Sequence, residues 1–288
     1  MRRRHQLEAD LQNGIDRNEF RLHYQPVRRA SDLHVVGVEA LVRWQHPSRG
    51  LVPPSEFIPL AEQSRLIVPL GEWVLRTACR QAARWQKDAE RSGEPLWVAV
   101  NVSPLQLDDY RLPDIVAAVL RDTTLAGGSL VLELTESALM PGDATRLSAL
   151  RRLREAGARL FLDDFGTGYS SLTHLTQLPI QAVKIDCSFV AGLPEDRRNA
   201  AVVAALITLS AELDLQVIAE GVETPEQLRS LQLMRCEAVQ GYLLDRPEPQ
   251  PRLEPPPIVP GQAAGPGHLL AGQRRPDETW GVESTGTR

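Results

Sequence analysis

Six polar residues sit at or near the C-terminal ends of six successive short apolar segments: Asn101, Glu133, Asp163, Lys184, Glu220 and Gln240. Glu39 lies inside an earlier segment of the same kind, between Val38 and Ala40. One carboxylate at the end of an apolar run is ordinary and is usually solvated or structural. Six polar ends in succession predict a shared polar site. Carboxylate and amide oxygens suit hard divalent cations, Mg²⁺ or Mn²⁺, better than zinc, and no histidine falls at these ends. In the adjacent pair Asp163-Asp164, one carboxylate could bridge two ions while its neighbour completes the second. Two ions about 4 Å apart would clamp the attacking and leaving oxygens of a phosphoryl displacement. Lys184, in Val183-Lys184-Ile185-Asp186, is a charge in a buried run. It either pairs with Asp186 or faces the site, where burial and nearby metals would depress its pKa.

Asp164-Phe165-Gly166 matches the metal-binding tripeptide of kinases, but the chain has no G-x-G-x-x-G loop and no H-R-D segment. Gly166-Thr167-Gly168-Tyr169-Ser170-Ser171 reads instead as a mobile loop behind the paired carboxylates, with glycines that supply flexibility and a gate for the site.

These residues need a scaffold that brings strand ends together. Eight segments read as strands: 20–25, 34–44, 96–101, 130–134, 159–163, 182–186, 216–219 and 238–241. The first two are separated by only about Arg28 to Leu33, too short for a crossover helix, and so form an antiparallel hairpin. From the third strand onward, helical patterns alternate with strands. They cover Glu72–Arg91, Asp143–Ala156 (Asp143 as N-cap, Gly157 as stop), Asn199–Leu213, and Pro225–Leu233 behind Thr224 as cap. Eight strands with alternating helices predict an α/β fold, a TIM-like (β/α)8 barrel with one antiparallel strand from the opening hairpin. In such a barrel, polar groups at the C-terminal strand ends share one mouth.

The chain has 288 residues, 32 Lys and Arg against 37 Asp and Glu, and a formal net charge of −5. That balance disfavours a whole-molecule electrostatic grip on DNA or anionic lipid. The longest nearly apolar run, Ala200 to Leu209, is about half a membrane span, and the basic start, Met1-Arg2-Arg3-Arg4, has no apolar core behind it. Three widely spaced cysteines, Cys79, Cys187 and Cys236, read as reduced thiols of a cytoplasmic protein. Nine of the 22 prolines fall at or after Pro247, where periodicity is also lost, so the division is a linker helix over 1–18, a catalytic domain over 19–247 and a Pro-rich disordered tail over 248–288. The linker helix carries Leu7, Leu11 and Ile15 on one stripe.

The chain resembles the EAL-domain phosphodiesterases that hydrolyse cyclic di-GMP. Glu39-Ala40-Leu41 with Val42-Arg43-Trp44 looks like the motif that names the family. Collinear matches follow at Tyr24-Gln25-Pro26, Phe57-Ile58-Pro59-Leu60-Ala61-Glu62, Asn101-Val102-Ser103, Glu133-Leu134-Thr135-Glu136, Asp163 to Leu172, Val183-Lys184-Ile185-Asp186, Ala219-Glu220-Gly221-Val222-Glu223-Thr224 and Gln240-Gly241-Tyr242, over roughly residues 5–247. The resemblance implies two divalent ions, one on Glu39, Asn101, Glu133 and Asp163, the other on Asp163 and Asp164 with help from Glu220. It implies Lys184 as the residue that binds and helps deprotonate water, with Glu220 as the rival base. Gln25, Leu41, Arg43 and Gln240 would contact substrate, Arg43 through phosphate. Glu136 would tether the 164–171 loop, with Asp186 and Glu223 bracing the site. The product would be linear pGpG. Family members commonly form homodimers and carry a GGDEF-like or sensory domain upstream.

Family members with eroded motifs act as receptors for cyclic di-GMP or as protein-binding modules; here every metal and base position matches. Arg65 and Arg235 stand where relatives usually have Gly after a helix, and Cys187 where Arg is common. These departures bear on stability rather than chemistry. Two other functions compete with hydrolysis: sensing of cyclic di-GMP without turnover, and partner docking through the Pro-rich tail.

Overall fold

Each of the eight expected segments forms a strand, and together they close a barrel. The computed structural model describes residues 2–89, 96–139, 144–166 and 175–253, all within the unit Met1–Pro256. The strands are β1 (Phe20–Arg29), β2 (Val35–His46), β3 (Gly50–Val52), β4 (Trp97–Asn101), β5 (Leu130–Thr135), β6 (Arg159–Phe165), β7 (Ala182–Ile185), β8 (Gln216–Ala219) and β9 (Ala238–Val239). Neighbours run β1-β9-β8-β7-β6-β5-β4-β2, and β2 pairs back onto β1 to close the ring. β1 is antiparallel to both neighbours, and the other barrel strands are parallel. The strand Gly50–Val52 was not anticipated: it is three residues long, shows no period, and hangs on β2 outside the ring. β1 also runs on through Arg28 and Arg29, which the sequence assigns to the turn.

Side-chain alternation explains how this ring makes a site. Val27, Trp97, Ala99, Val131, Phe161, Ala182, Ile218 and Ala238 form one buried cluster inside the barrel. Residues two apart on a strand share a face. The inward position above that cluster is therefore Asn101 on β4, Glu133 on β5, Asp163 on β6 and Lys184 on β7. Beyond β8 and β9 it is Glu220 and Gln240. On β1, which runs the other way, it is Gln25, two residues before Val27. On β2 the inward position below Glu39 is Gly37, and a Cβ there would lie 2.1 Å from the Trp97 ring. The missing side chain is what lets the indole fill the floor.

The helices cover the outside. They are α1 (Arg2–Asp16), α2 (Pro54–Gln63), α3 (Ile67–Ala89), α4 (Pro104–Leu107), α5 (Leu112–Thr123), α6 (Ala144–Glu155), α7 (Cys187–Val190), α8 (Arg197–Glu212) and α9 (Pro225–Leu233). α3 begins five residues before the expected Glu72, because Pro69 is tolerated in a first turn where its missing N–H has no partner to lose. α8 begins at Arg197 because the Asp196 carboxylate caps it, accepting from the Arg198 and Asn199 N–H groups. α9 has the expected bounds, with Thr224 and Gln227 in a reciprocal capping box. The Asp143 cap expected for α6 lies outside the described residues, as do the 167–174 part of the Gly-rich loop and the tail from 254 onward. α1 packs on the barrel flank through buried Leu7 and Leu11, which join Phe20, Trp44 and Phe57. Its Asp10 carboxylate meets His46 Nε2 at 3.4 Å.

Arg65 and Arg235 have φ of 60° and 61°, the left-handed region favoured by glycine. Both follow a helix end and both side chains are exposed, so the strain is not offset by packing. Arg65→Gly and Arg235→Gly are each expected to stabilise the protein by roughly 0.5–1 kcal/mol, the left-handed penalty less the extra chain entropy of glycine. Denaturant midpoints would check this; a lower midpoint for both variants would contradict it.

Candidate active site

Lys184 is fully buried, and its Nζ lies inside a ring of carboxylates at the barrel mouth. It is 2.5 Å from Glu220 Oε1, 3.0 Å from Glu133 Oε1, 3.3 Å from Asp163 Oδ1 and 3.7 Å from Glu39 Oε2. Of the two partners expected for it, the lysine therefore takes the site. Asp186 is engaged otherwise, capping α7 by accepting from the Ser188 N–H and hydroxyl.

Asp163 and Asp164 are consecutive, yet both serve the same mouth. The β6–β7 register shifts between Leu162 and Phe165, and Asp164 has a φ of 55°. A bulge with a left-handed residue breaks the alternation that would send Asp164 to the opposite face. Carboxylate oxygens of Asp163, Asp164 and Glu220 consequently lie within 4.8 Å of one another. Glu220 reaches them because Gly221, at a φ of +70°, turns the chain directly after β8.

The electrostatics follow from one ammonium among many acids. Burial works against the charge on Lys184, but Glu133, Glu220, Glu39 and Asp163 outweigh it and hold its pKa well above the usual lysine value. The depression expected from burial is thus reversed in the metal-free protein. Glu133 is pushed well above the carboxylate range, first by burial and then by Glu39, Asp163 and Glu220, with Lys184 opposing. Burial also raises Glu220, to about 7, against the pull of Lys184. Asp164 is raised by burial and by Asp163 and Asp186. Glu39 is lowered: burial opposes the shift, but Lys184 and amide donors from Gln240 and Asn101 prevail.

Those amides belong to a directed chain. Asn101 Nδ2 donates to Glu39 Oε1 at 2.7 Å, and Gln240 Nε2 donates to Glu39 Oε2 at 2.8 Å and to Gln25 Oε1 at 3.1 Å. Gln25 Nε2 donates to the Asp245 carbonyl at 3.0 Å. Gln25 and Gln240 are both buried. Leu41 and Arg43 are half-buried further along β2. Burial lowers the Arg43 pKa, against the pull of the Glu39 carboxylate. Tyr242 is half-exposed, with the Arg246 guanidinium 4.6 Å from its ring centre. Glu136 is half-buried and opens the 3-10 turn Glu136–Leu139 after β5, while most of the loop it was expected to tether lies outside the described residues. Glu223 is exposed, and its backbone N–H donates to Gln227 Oε1. Sequence reasoning did not single out Arg28 and Asp245, a buried pair behind Gln25. The available signal was weak: Arg28 follows Pro26-Val27 in a strand that also carries Arg21, His23, Gln25 and Arg29.

The residues fit divalent cations. Glu39, Glu133, Asp163, Asp164 and Glu220 place five carboxylates around one ammonium. Fully ionised, the cage carries four uncompensated negative charges, the charge that two divalent ions would match. Glu133 supplies the sharper observation: it is fully buried, its Oε1 lies 3.0 Å from Lys184 Nζ, and its Oε2 accepts no hydrogen bond among the described residues. A buried carboxylate oxygen without a donor is costly unless a cation takes it.

The sequence profile of the EAL domain matches residues 8–247. The bifunctional diguanylate cyclase/cyclic di-GMP phosphodiesterase MucR of Pseudomonas aeruginosa is 43% identical over 249 residues, 86% of this chain and 36% of MucR. The cyclic di-GMP phosphodiesterase NbdA of the same organism is 44% identical over 250 residues, 86% of this chain and 31% of NbdA. The chain thus spans about a third of the length of these curated relatives. The solved PaMucR phosphodiesterase in complex with c-di-GMP superposes with a TM-score of 0.80 at 43% identity, covering 85% of this chain and 98% of that one.

Glu220 gives the metal-free protein a pH signature. A carboxyl that titrates near 7 when folded and near 4.5 when unfolded favours the folded state most below 4.5. That contribution is lost as pH rises through 7. Because the side chain keeps some exposure toward the mouth, the loss should be on the order of 2 kcal/mol. In EDTA, wild type should therefore lose stability relative to Glu220→Gln between pH 5 and pH 8. Parallel profiles in thermal melts would contradict the shift.

Proposed function

Because the chain belongs to the EAL domain family, we propose that it is a metal-dependent phosphodiesterase hydrolysing one bond of cyclic di-GMP to give linear pGpG. The observation that carries this reading is the Lys184 cage, with every oxygen ligand directed to one mouth. Glu39, Asn101, Glu133 and Asp163 would hold one Mg²⁺ or Mn²⁺, and Asp163, Asp164 and Glu220 a second. When bound, such ions acidify a water and offset charge building on the phosphate.

The protein's own groups divide the remaining work. Water adds across one P–O bond. Its oxygen joins phosphorus, and its hydrogens end on the new phosphate and on the freed ribose oxygen. Glu220, in contact with Lys184 Nζ, takes the proton from water and returns it to the leaving oxygen. Lys184, set among four carboxylates, acts as a fixed cation that orients water and stabilises the extra negative charge. Arg43 offers a guanidinium to a phosphate, and Leu41 lines the mouth beside it.

The setting of the domain extends the proposal. Relatives about three times as long support an upstream GGDEF-like or sensory domain, and a second copy of the chain is the expected partner. No helix among the described residues is long and apolar enough to cross a membrane. We place the reaction in the cytoplasm, where it would lower the level of a second messenger.

Incubation with cyclic di-GMP and Mn²⁺ should yield pGpG, and EDTA should abolish it. Nucleotide binding with no product in Mg²⁺ or Mn²⁺ would make the protein a receptor instead. Glu39→Ala should abolish turnover, and near-normal activity at saturating metal would remove Glu39 from the ligand set. Lys184→Ala should lower kcat by about two to three orders of magnitude. A change confined to KM would make the lysine a substrate anchor.

A further inference from the structure

The barrel closes at a weak seam. β1 and β9 share only two register pairs, Arg28↔Val239 and Arg29↔Ala238, and β9 ends just below the mouth. Further along, the β1 edge is covered at His23 to Gln25 by the chain that follows β9. Tyr24 and Glu248 exchange both backbone hydrogen bonds, at 2.7 and 3.1 Å, and the Pro247 carbonyl meets His23 Nδ1 at 3.2 Å. Within this strap lies a buried ion pair. Arg28 Nε donates to Asp245 Oδ2 at 2.6 Å and Nη2 to Oδ1 at 3.1 Å, while Nη1 donates to the Leu33 carbonyl at 2.8 Å. The Arg28 side chain is 3% exposed and that of Asp245 13%.

The mechanism does not use this pair, yet the Asp245 backbone carbonyl is the first acceptor of the amide chain that ends on Glu39. The chain has only one workable polarity. With the Asp245 carbonyl in place, Gln25 must present its NH₂ to it and its oxygen to Gln240. Gln240 must then present its NH₂ to both Gln25 and Glu39. Reversing Gln25 would set two acceptors against each other at one end and two donors at the other. We infer that Arg28 and Asp245 are positioning residues, whose bidentate pair fixes the Asp245 carbonyl and through it holds the Glu39 carboxylate in its cation-binding orientation. The inference rests on the reading of the cage as a divalent-ion site. Partners behind a ligand typically change metal affinity 10- to 100-fold.

The test uses the full chain and the double variant Arg28→Met/Asp245→Leu, which leaves no unpaired buried charge. Mn²⁺ binding is measured by calorimetric titration, stability by thermal melting, and kcat and KM separately. The expected result is a folded protein whose Mn²⁺ dissociation constant is raised about 10-fold or more, with kcat reduced similarly and KM within about two-fold. Should the double variant fail to fold, Arg28→Lys keeps the charge and loses the fork, and is expected to weaken Mn²⁺ binding about three-fold or more. Lowered melting with unchanged Mn²⁺ affinity would assign the pair a structural role only and overturn the inference. Wild-type protein that binds no Mn²⁺ would overturn the reading of the cage as well; wild-type binding matched by the variants overturns the inference alone.

Discussion

One ammonium buried among carboxylates is the interaction on which this structure depends. Taking a lysine and several acids out of water is costly, and their mutual attraction repays it only when the geometry is held and the surplus charge is met. Lys184 alone cannot meet it. The ring around it is left with a carboxylate, Glu133, whose Oε2 has no donor among the described residues, and with a Glu220 carboxyl that burial raises to about 7. Such a site is unfavourable as a structural salt bridge. As a receptor for divalent cations it is well matched, because the same surplus that raises the acids when the site is empty becomes binding energy when it is filled.

The barrel delivers these groups by the simplest rule of strands, that residues two apart share a face. An apolar layer of Trp97, Val131, Phe161, Ala182 and Ile218 fills the floor, and the next inward position on each strand is polar. Reversal of β1 does not interrupt the pattern; it places Gln25 level with Glu39, its register partner on β2. The rule fails at one point, and there the fold departs from regular geometry. The bulge and left-handed Asp164 on β6 bring a second consecutive carboxylate to the mouth, local strain of the kind that persists where surrounding packing enforces it.

How much of this is legible in sequence depends on whether periodicity carries it. Strands, most helices and the polar positions of the site all have a period or a cap, so Asn101, Glu133, Lys184 and the Thr224 cap could be placed from residue type alone. Three features could not. β3 is too short to show alternation. The strap after β9 has no regular structure, so nothing in Leu244-Asp245-Arg246 announces that its carbonyl orders two glutamines. The state of Lys184 depends on distances: burial alone argues for a depressed pKa, and only the observed approach of four carboxylates reverses the sign.

The most direct test of the account is the stoichiometry of Mn²⁺ binding to the metal-free protein, followed by calorimetry near pH 6.5 in two buffers of different ionisation enthalpy. If the surplus charge of the cage exists to hold cations, two ions should bind per chain, with net release of protons as Glu133 and Glu220 give theirs up. Failure to bind any ion, or binding without proton release, would show that the cage balances itself and would contradict the account.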